Sequence, residues 1–138
     1  MFSGCSNLKN IETNLKNLTI GNTLFSGLLS LSSFKGDLSN LTKGNGMFQD
    51  SLALETFESD LSSLEDCTNM FKGCNLKRFN ANMNLLTDIN CMFDDVVKFE
   101  SFTSDLSSLT VVPKIFSNKG NLTTFNSNLS NITNGYWE

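Results

Sequence analysis

The tract FESDLSSL at Phe57–Leu64 returns 45 residues later as FTSDLSSL at Phe102–Leu109. Hydroxyls gathered around a carboxylate are groups that can attack an electrophile or hold a cation. A serine nucleophile needs a base to take its proton, most often histidine, and the chain has no histidine. Lysine can substitute, but none recurs with the motif: Asp60 is followed by Leu-Ser-Ser-Leu-Glu-Asp and Asp105 by Leu-Ser-Ser-Leu-Thr-Val. No catalytic residue is assigned, and the chain is read as not an enzyme. Asp37 and Asp60 suggest a cation ladder with Asn14 and Asn82 flanking it. Hard cations take about six to eight oxygens, which this set does not supply, so neither a metal nor a cofactor is expected.

Cysteine chemistry is the other candidate. Cys5, Cys67, Cys74 and Cys91 lack the paired C-x-x-C spacing of a zinc site. They are expected as reduced thiols with structural roles.

Composition narrows the partners. Asp and Glu outnumber Lys and Arg by 14 to 10, for a net charge of -4 without any basic run. Double-stranded nucleic acid is not an expected partner, because that affinity rests on neutralising phosphates. No apolar stretch approaches the ~20 residues of a membrane helix, so membrane insertion is not expected either. The first 20 residues lack the basic start and apolar run of a signal peptide. As written, the chain reads as cytoplasmic.

The elements that position these residues come from a repeat, which is the first thing to seek in such a sequence. Cutting before each apolar-Phe pair gives segments starting at Met1, Leu24, Met47, Met70, Met92 and Ile115, with steps of 23, 23, 23, 22 and 23 residues. Position 2 is Phe throughout: Phe2, Phe25, Phe48, Phe71, Phe93, Phe116. Position 11 is Ile11, Phe34, Phe57, Phe79, Phe102 and Phe125, and position 14 is always Asn or Asp. Leu, Ile, Met or Phe fills positions 8, 15 and 18 in every unit. All 12 phenylalanines and all five methionines fall on apolar repeat positions.

Each unit holds a short strand around position 11. Two-residue alternation turns positions 11 and 13 inward and positions 10 and 12 outward. The Asp or Asn at 14 ends the strand and bonds the following backbone N–H as an Asx-turn. The apolar-Phe pair opens a turn or short helical segment on the opposite side. Stacking stabilises such units, because one coil cannot cover its own apolar face. The expected fold is an α/β repeat solenoid, a right-handed coil with a short parallel sheet on its concave face and turns or short 3-10 segments on its convex face. One domain spans residues 1–138, with repeats at 1–23, 24–46, 47–69, 70–91, 92–114 and 115–138 and no separate caps. In this register Cys5 and Cys74 lie three coils apart, about 14 Å at the sheet spacing and beyond disulfide reach. Cys67 and Cys91 form the only conceivable bridge, and their positions are offset.

The pattern M-F-x-G-C-x-x-L-x-x-F, seen at Met70–Phe79 with one residue deleted and in weaker form at Met1–Ile11, resembles the BspA-like leucine-rich repeats. The resemblance covers essentially the whole chain. It departs at position 5, where Cys is kept only in the first and fourth units, and at the strand, where Phe replaces the usual aliphatic residue. The family occurs in bacterial surface proteins and in some protozoan and phage-associated proteins. The resemblance therefore implies an adhesin-like or receptor-binding segment, at a cell surface or virion if part of a longer protein. The thiols, the acidic charge and the missing leader suggest the alternative: an intracellular, possibly phage-encoded protein that blocks a host protein's surface.

Either way the expected partner is a protein, and binding belongs to the outward strand positions. Position 12 reads Glu12, Lys35, Glu58, Asn80, Thr103 and Asn126; Arg78 and Thr124 join it from position 10. Glu12, Lys35 and Glu58 are expected to pair along the ladder, as are Glu55, Lys77 and Glu100 at position 9, each pair worth tenths of a kcal/mol. Phe2, Tyr136 and Trp137 are candidate end contacts, through which self-association can occur. Sequons at Asn17, Asn40, Asn121, Asn128 and Asn131 read as by-products of the repeated L-S-N-L-T phrase.

Overall fold

A computed structural model describes residues 1–2, 4–116 and 120–135. Six five-residue strands, β1 (Asn10–Asn14), β2 (Ser33–Asp37), β3 (Thr56–Asp60), β4 (Arg78–Asn82), β5 (Ser101–Asp105) and β6 (Thr124–Asn128), form one sheet in sequence order. Every neighbouring pair is parallel. Parallel neighbours require a return crossover between them, and here each crossover is one turn of a solenoid. The expected coil is the observed one, but its helical share is small. Among the described residues only Asn90–Met92 and Lys114–Phe116 form 3-10 turns; the other returns are turns and bends.

Register follows the repeat, pairing Ile11 with Phe34, Phe34 with Phe57, Phe57 with Phe79, Phe79 with Phe102 and Phe102 with Phe125. A one-residue slip would turn the strand phenylalanines out to solvent, so burial of one face fixes the pairing. The single-residue deletion of the fourth unit falls before β4, since Thr56 still meets Arg78.

The core consists of two interleaved aromatic columns. Position-11 rings stack coil on coil at centroid distances of 5.4, 5.5, 5.1 and 5.8 Å from Phe34 to Phe125. Position-2 rings stack from Phe2 through Phe25, Phe48 and Phe71 to Phe93 at 5.3–5.6 Å. The columns meet edge to face, as ring quadrupoles prefer. Leu, Met and Ile at positions 8, 15 and 18 close the coil, and in the second to fifth units these residues are buried.

Two features of the returns lie beyond the apolar pattern. Position 4 adopts positive φ in five units: Gly4 (90°), Gly27 (69°), Asp50 (59°), Gly73 (75°) and Asp95 (65°). In the third and fourth units position 5 carries an inward hydrogen bond. Ser51 Oγ donates to the Phe25 carbonyl at 2.9 Å, and the Cys74 thiol donates to the Phe48 carbonyl at 3.1 Å. The Gly-Cys of the motif thus has a backbone role and a bonding role: one residue turns left-handed, and the next satisfies the preceding coil's Phe carbonyl.

Candidate functional site

The sheet's solvent face is built by the residues that alternation turns away from the core. Position 12 forms one row in register, Glu12–Lys35–Glu58–Asn80–Thr103, and Thr103 faces Asn126 on β6. Position 10 forms a parallel row that includes Arg78 and Thr124. At the strand ends, the position-14 side chains of five units accept backbone N–H bonds two residues on: Lys16 to Asn14, Ser39 to Asp37, Ser62 to Asp60, Ser107 to Asp105 and Ser130 to Asn128, at 2.8–3.0 Å. These are the Asx-turns that the sequence calls for. They hold the carboxylates and amides at one height along the sheet.

Over β1–β4 this face forms an open groove of about 830 Å³. Glu12, Lys35, Glu58 and Asn80 line it from the position-12 row, Asn14, Asp37, Asp60 and Asn82 from position 14, and Ser39 from the turn. Its floor is Thr13, Gly36 and Ser59. Gly36 is tightly seated, since a Cβ there would lie 2.8 Å from the Thr13 carbonyl oxygen and 2.9 Å from the Phe34 ring. Small residues at position 13 thus let the backbone form the floor while the aromatic column passes beneath.

The groove carries four carboxylates, on Glu12, Asp37, Glu58 and Asp60, against the single ammonium of Lys35. Lys35 reaches Glu58 at 3.2 Å, with both side chains more than half exposed. Glu12 lies opposite Lys35 in register, but the expected continuous Glu-Lys-Glu ladder does not form. A lysine has one ammonium, and here it turns to the β3 side. The position-9 ladder is broken in the same way: Lys77 pairs with Glu55 at 3.1 Å, while Glu100 is taken by Arg78 at 3.5 Å. Bonds from Ser39 hold the Asp37 carboxyl below the usual carboxylate range, so it stays ionised.

Of the residues singled out by sequence, Glu12, Lys35, Glu58 and Asn80 lie together in the groove. Arg78 stands on the adjacent row, and Thr103, Thr124 and Asn126 continue the face over β5 and β6. Phe2 is half-buried and stacked on Phe25 at 5.3 Å, its ring packed into the column instead of displayed. Tyr136 and Trp137 lie outside the described residues. Sequence reading weighed Asn14, Asp37, Asp60 and Asn82 as turn caps and as a thin cation ladder, and missed them as groove walls. The signal was present in a polar residue at position 14 of every unit, two places after each outward strand residue.

Chemically the groove offers hydrogen bonds and ion pairs. Asp60 Oδ1 is engaged by the Ser62 N–H, and the Ser59 hydroxyl points to the Asp60 carbonyl. Among the described residues no group of three His, Cys, Asp or Glu side chains is placed to hold a metal ion. None of their helices is long and apolar enough to cross a membrane. The four cysteines are free thiols, Cys67 and Cys74 buried and Cys5 and Cys91 exposed.

A family model for the BspA type leucine-rich repeat region matches in six copies, over residues 1–90 and 44–137. The chain belongs to this family. Neither a curated protein nor a solved structure matches it. The BspA-type assignment agrees with the coil geometry, the position-4 turns and the six-strand sheet. Leucine-rich repeats of this kind are typically interaction scaffolds without catalysis, and the scaffold does not determine what each member binds.

Proposed function

We propose that this chain is a non-enzymatic protein-interaction module, adhesin-like or receptor-binding, whose partner lies across the open sheet face. The observation that carries the reading is the groove over β1–β4. There Glu12, Lys35, Glu58 and Asn80 stand in register beside the Asx-turn carboxylates Asp37 and Asp60. Such a wall of fixed acceptors with one cation suits a partner that presents Lys or Arg side chains between hydrogen-bond donors. A second reading of the same face, a protein that blocks the surface of an intracellular host protein, draws on the four free thiols, the state that reducing compartments maintain.

The test is affinity capture from candidate host extracts with three proteins. They are the wild type, a face variant (Glu12→Lys, Glu58→Lys, Asp60→Lys) and a control substituted at exposed convex residues such as Asn22 and Leu29. A partner retained by wild type and control but lost by the face variant supports the reading. Retention by all three, with the face variant folded, overturns it.

A further inference from the structure

Cys67 stands at position 21 of the third unit and Cys91 at position 23 of the fourth, an offset of two residues between neighbouring coils. The fold closes that offset. Position 23 is left-handed at Thr23, Gly46 and Asn69, but in the fourth unit the 3-10 turn Asn90–Met92 takes its place. The change shows in the backbone bonds. Gly46 donates N–H to the carbonyl of Thr68, at position 22, whereas Asn69 donates to that of Cys91 itself, each at 2.9 Å. The turn thus draws Cys91 one place towards Cys67, and the two thiols hydrogen-bond each other. The Cys67 thiol also reaches the Asp88 carbonyl, at 3.9 Å. Cys67 is 4 % exposed and Cys91 is open to solvent, so a buried thiol touches an accessible one. Cys5 and Cys74 are three coils apart, and the Cys74 thiol is engaged by the Phe48 carbonyl.

We propose that Cys67 and Cys91 are a redox-responsive staple, a thiol pair that a small neutral disulfide converts into a bridge between the third and fourth coils. The oxidant needs to reach only the exposed member. Cys91, as its thiolate, attacks one sulfur of the small disulfide; the Cys91 S–S bond forms, the oxidant's own S–S bond breaks, and the first small thiolate leaves and takes up the Cys91 proton. Cys67 then attacks the Cys91 sulfur, the second small thiolate leaves, and it takes up the Cys67 proton. The two cysteines together lose two electrons and two protons, and the oxidant becomes two small thiols. Asp66 and Asp88 lie beside the pair, which disfavours an anionic oxidant and favours a neutral one. An alkylating reagent stops at Cys91, because a thioether gives Cys67 nothing to displace. The bridge ties off residues 67–91, which include β4, and so restricts the unfolded chain. Reducing compartments leave the pair open and oxidising ones close it. The inference is independent of what the open sheet face binds, and either can fail alone.

The folded 138-residue chain, treated with bis(2-hydroxyethyl) disulfide at pH 8 without denaturant, then alkylated and cut with trypsin, tests this. Each cysteine falls in its own tryptic peptide: Cys5 in 1–9, Cys67 in 44–72, Cys74 in 73–77 and Cys91 in 79–98. The expected product joins 44–72 to 79–98 within one chain, with the small thiol retained on Cys5 and Cys74 unmodified. Its urea midpoint is expected to rise above that of the reduced protein and to return on treatment with dithiothreitol. In Cys91→Ser, a change at an exposed site, Cys67 is expected to stay a free thiol and the midpoint to stay unmoved by the oxidant. Should that variant fold poorly, the wild-type peptide map decides alone. A stable small-thiol adduct on Cys91 beside a free Cys67, a bridge to Cys5 or Cys74 or between chains, or a bridged protein no more resistant to urea than the reduced one would overturn the proposal.

Discussion

Phe57 and Phe71 meet with ring centroids 4.7 Å apart and planes 73° apart, the closest edge-to-face contact between the two aromatic columns. One ring comes from the strand of the third coil and the other from the return of the fourth. Their contact therefore joins neighbouring units rather than two parts of one. Phe57 also stacks on Phe34 and Phe79 and touches Phe48. Among the described residues Phe125 meets only Phe102 and Phe116.

Truncation should reflect that difference. Phe57→Ala removes a fully buried ring with four aromatic neighbours and is expected to cost about 3–5 kcal/mol. Phe125→Ala, at the exposed end of the column, should cost clearly less. Urea denaturation of both variants checks the order. Equal losses would mean that the columns do not carry coil-to-coil stability.

The position-5 hydrogen bond yields a second prediction. Ser51→Ala leaves the buried Phe25 carbonyl without the donor at 2.9 Å and removes the acceptor for the Leu28 N–H. An unmet buried polar group costs about 1–3 kcal/mol, and a loss of that size is expected in thermal or urea melts. Ser51→Cys should recover part of it, because Cys74 makes the same bond one coil later. Cys74→Ser should be tolerated better than Cys74→Ala for the same reason.

Burial pushes the Cys67 and Cys74 thiols up to about 12 from an ordinary value of 9.0. A folded-state value above the unfolded one favours the native state fully below pH 9. That contribution is then lost as pH rises from 9 towards 12, since the unfolded chain ionises its thiols and the folded chain does not. Stability should therefore fall through this alkaline window, and less steeply in a Cys67→Ala, Cys74→Ser double variant. At pH 8 a thiol reagent should modify Cys5 and Cys91 rapidly and the buried pair only on unfolding. Four equally fast thiols would contradict the packing.

Much of this was legible in the sequence because a solenoid writes its core as a period. Phe at 11 beside a small residue at 13 located the strands, and Asp or Asn at 14 their ends, to the residue. The position-5 bond was less legible. Ser51 and Cys74 look unlike each other, and only the carbonyl placed against them shows the shared role. The groove walls were hidden by a correct assignment, since a residue that caps a turn can also face a ligand. Side-chain choice was beyond reach: register sets Glu12 opposite Lys35, but whether Lys35 turns to β1 or β3 depends on local geometry that no period encodes.

The left-handed positions give the last prediction. Position 23 has positive φ at Thr23 (56°), Gly46 (59°) and Asn69 (57°). Glycine adopts this conformation freely and asparagine with little difficulty, but a β-branched residue there is strained. Thr23 is exposed, and its backbone N–H donates to the Asn45 carbonyl at 2.9 Å, a bond that any residue but proline keeps. Thr23→Gly therefore removes strain without losing the bond. Relief of about 1–2 kcal/mol against a glycine entropy cost of about 0.5–1 leaves a small net gain. The reverse change, Gly46→Thr, adds the strain inside the core-forming coils and should destabilise. Matched melts of the two variants check the sign. A destabilised Thr23→Gly would show that the second coil enters its turn by a different backbone path.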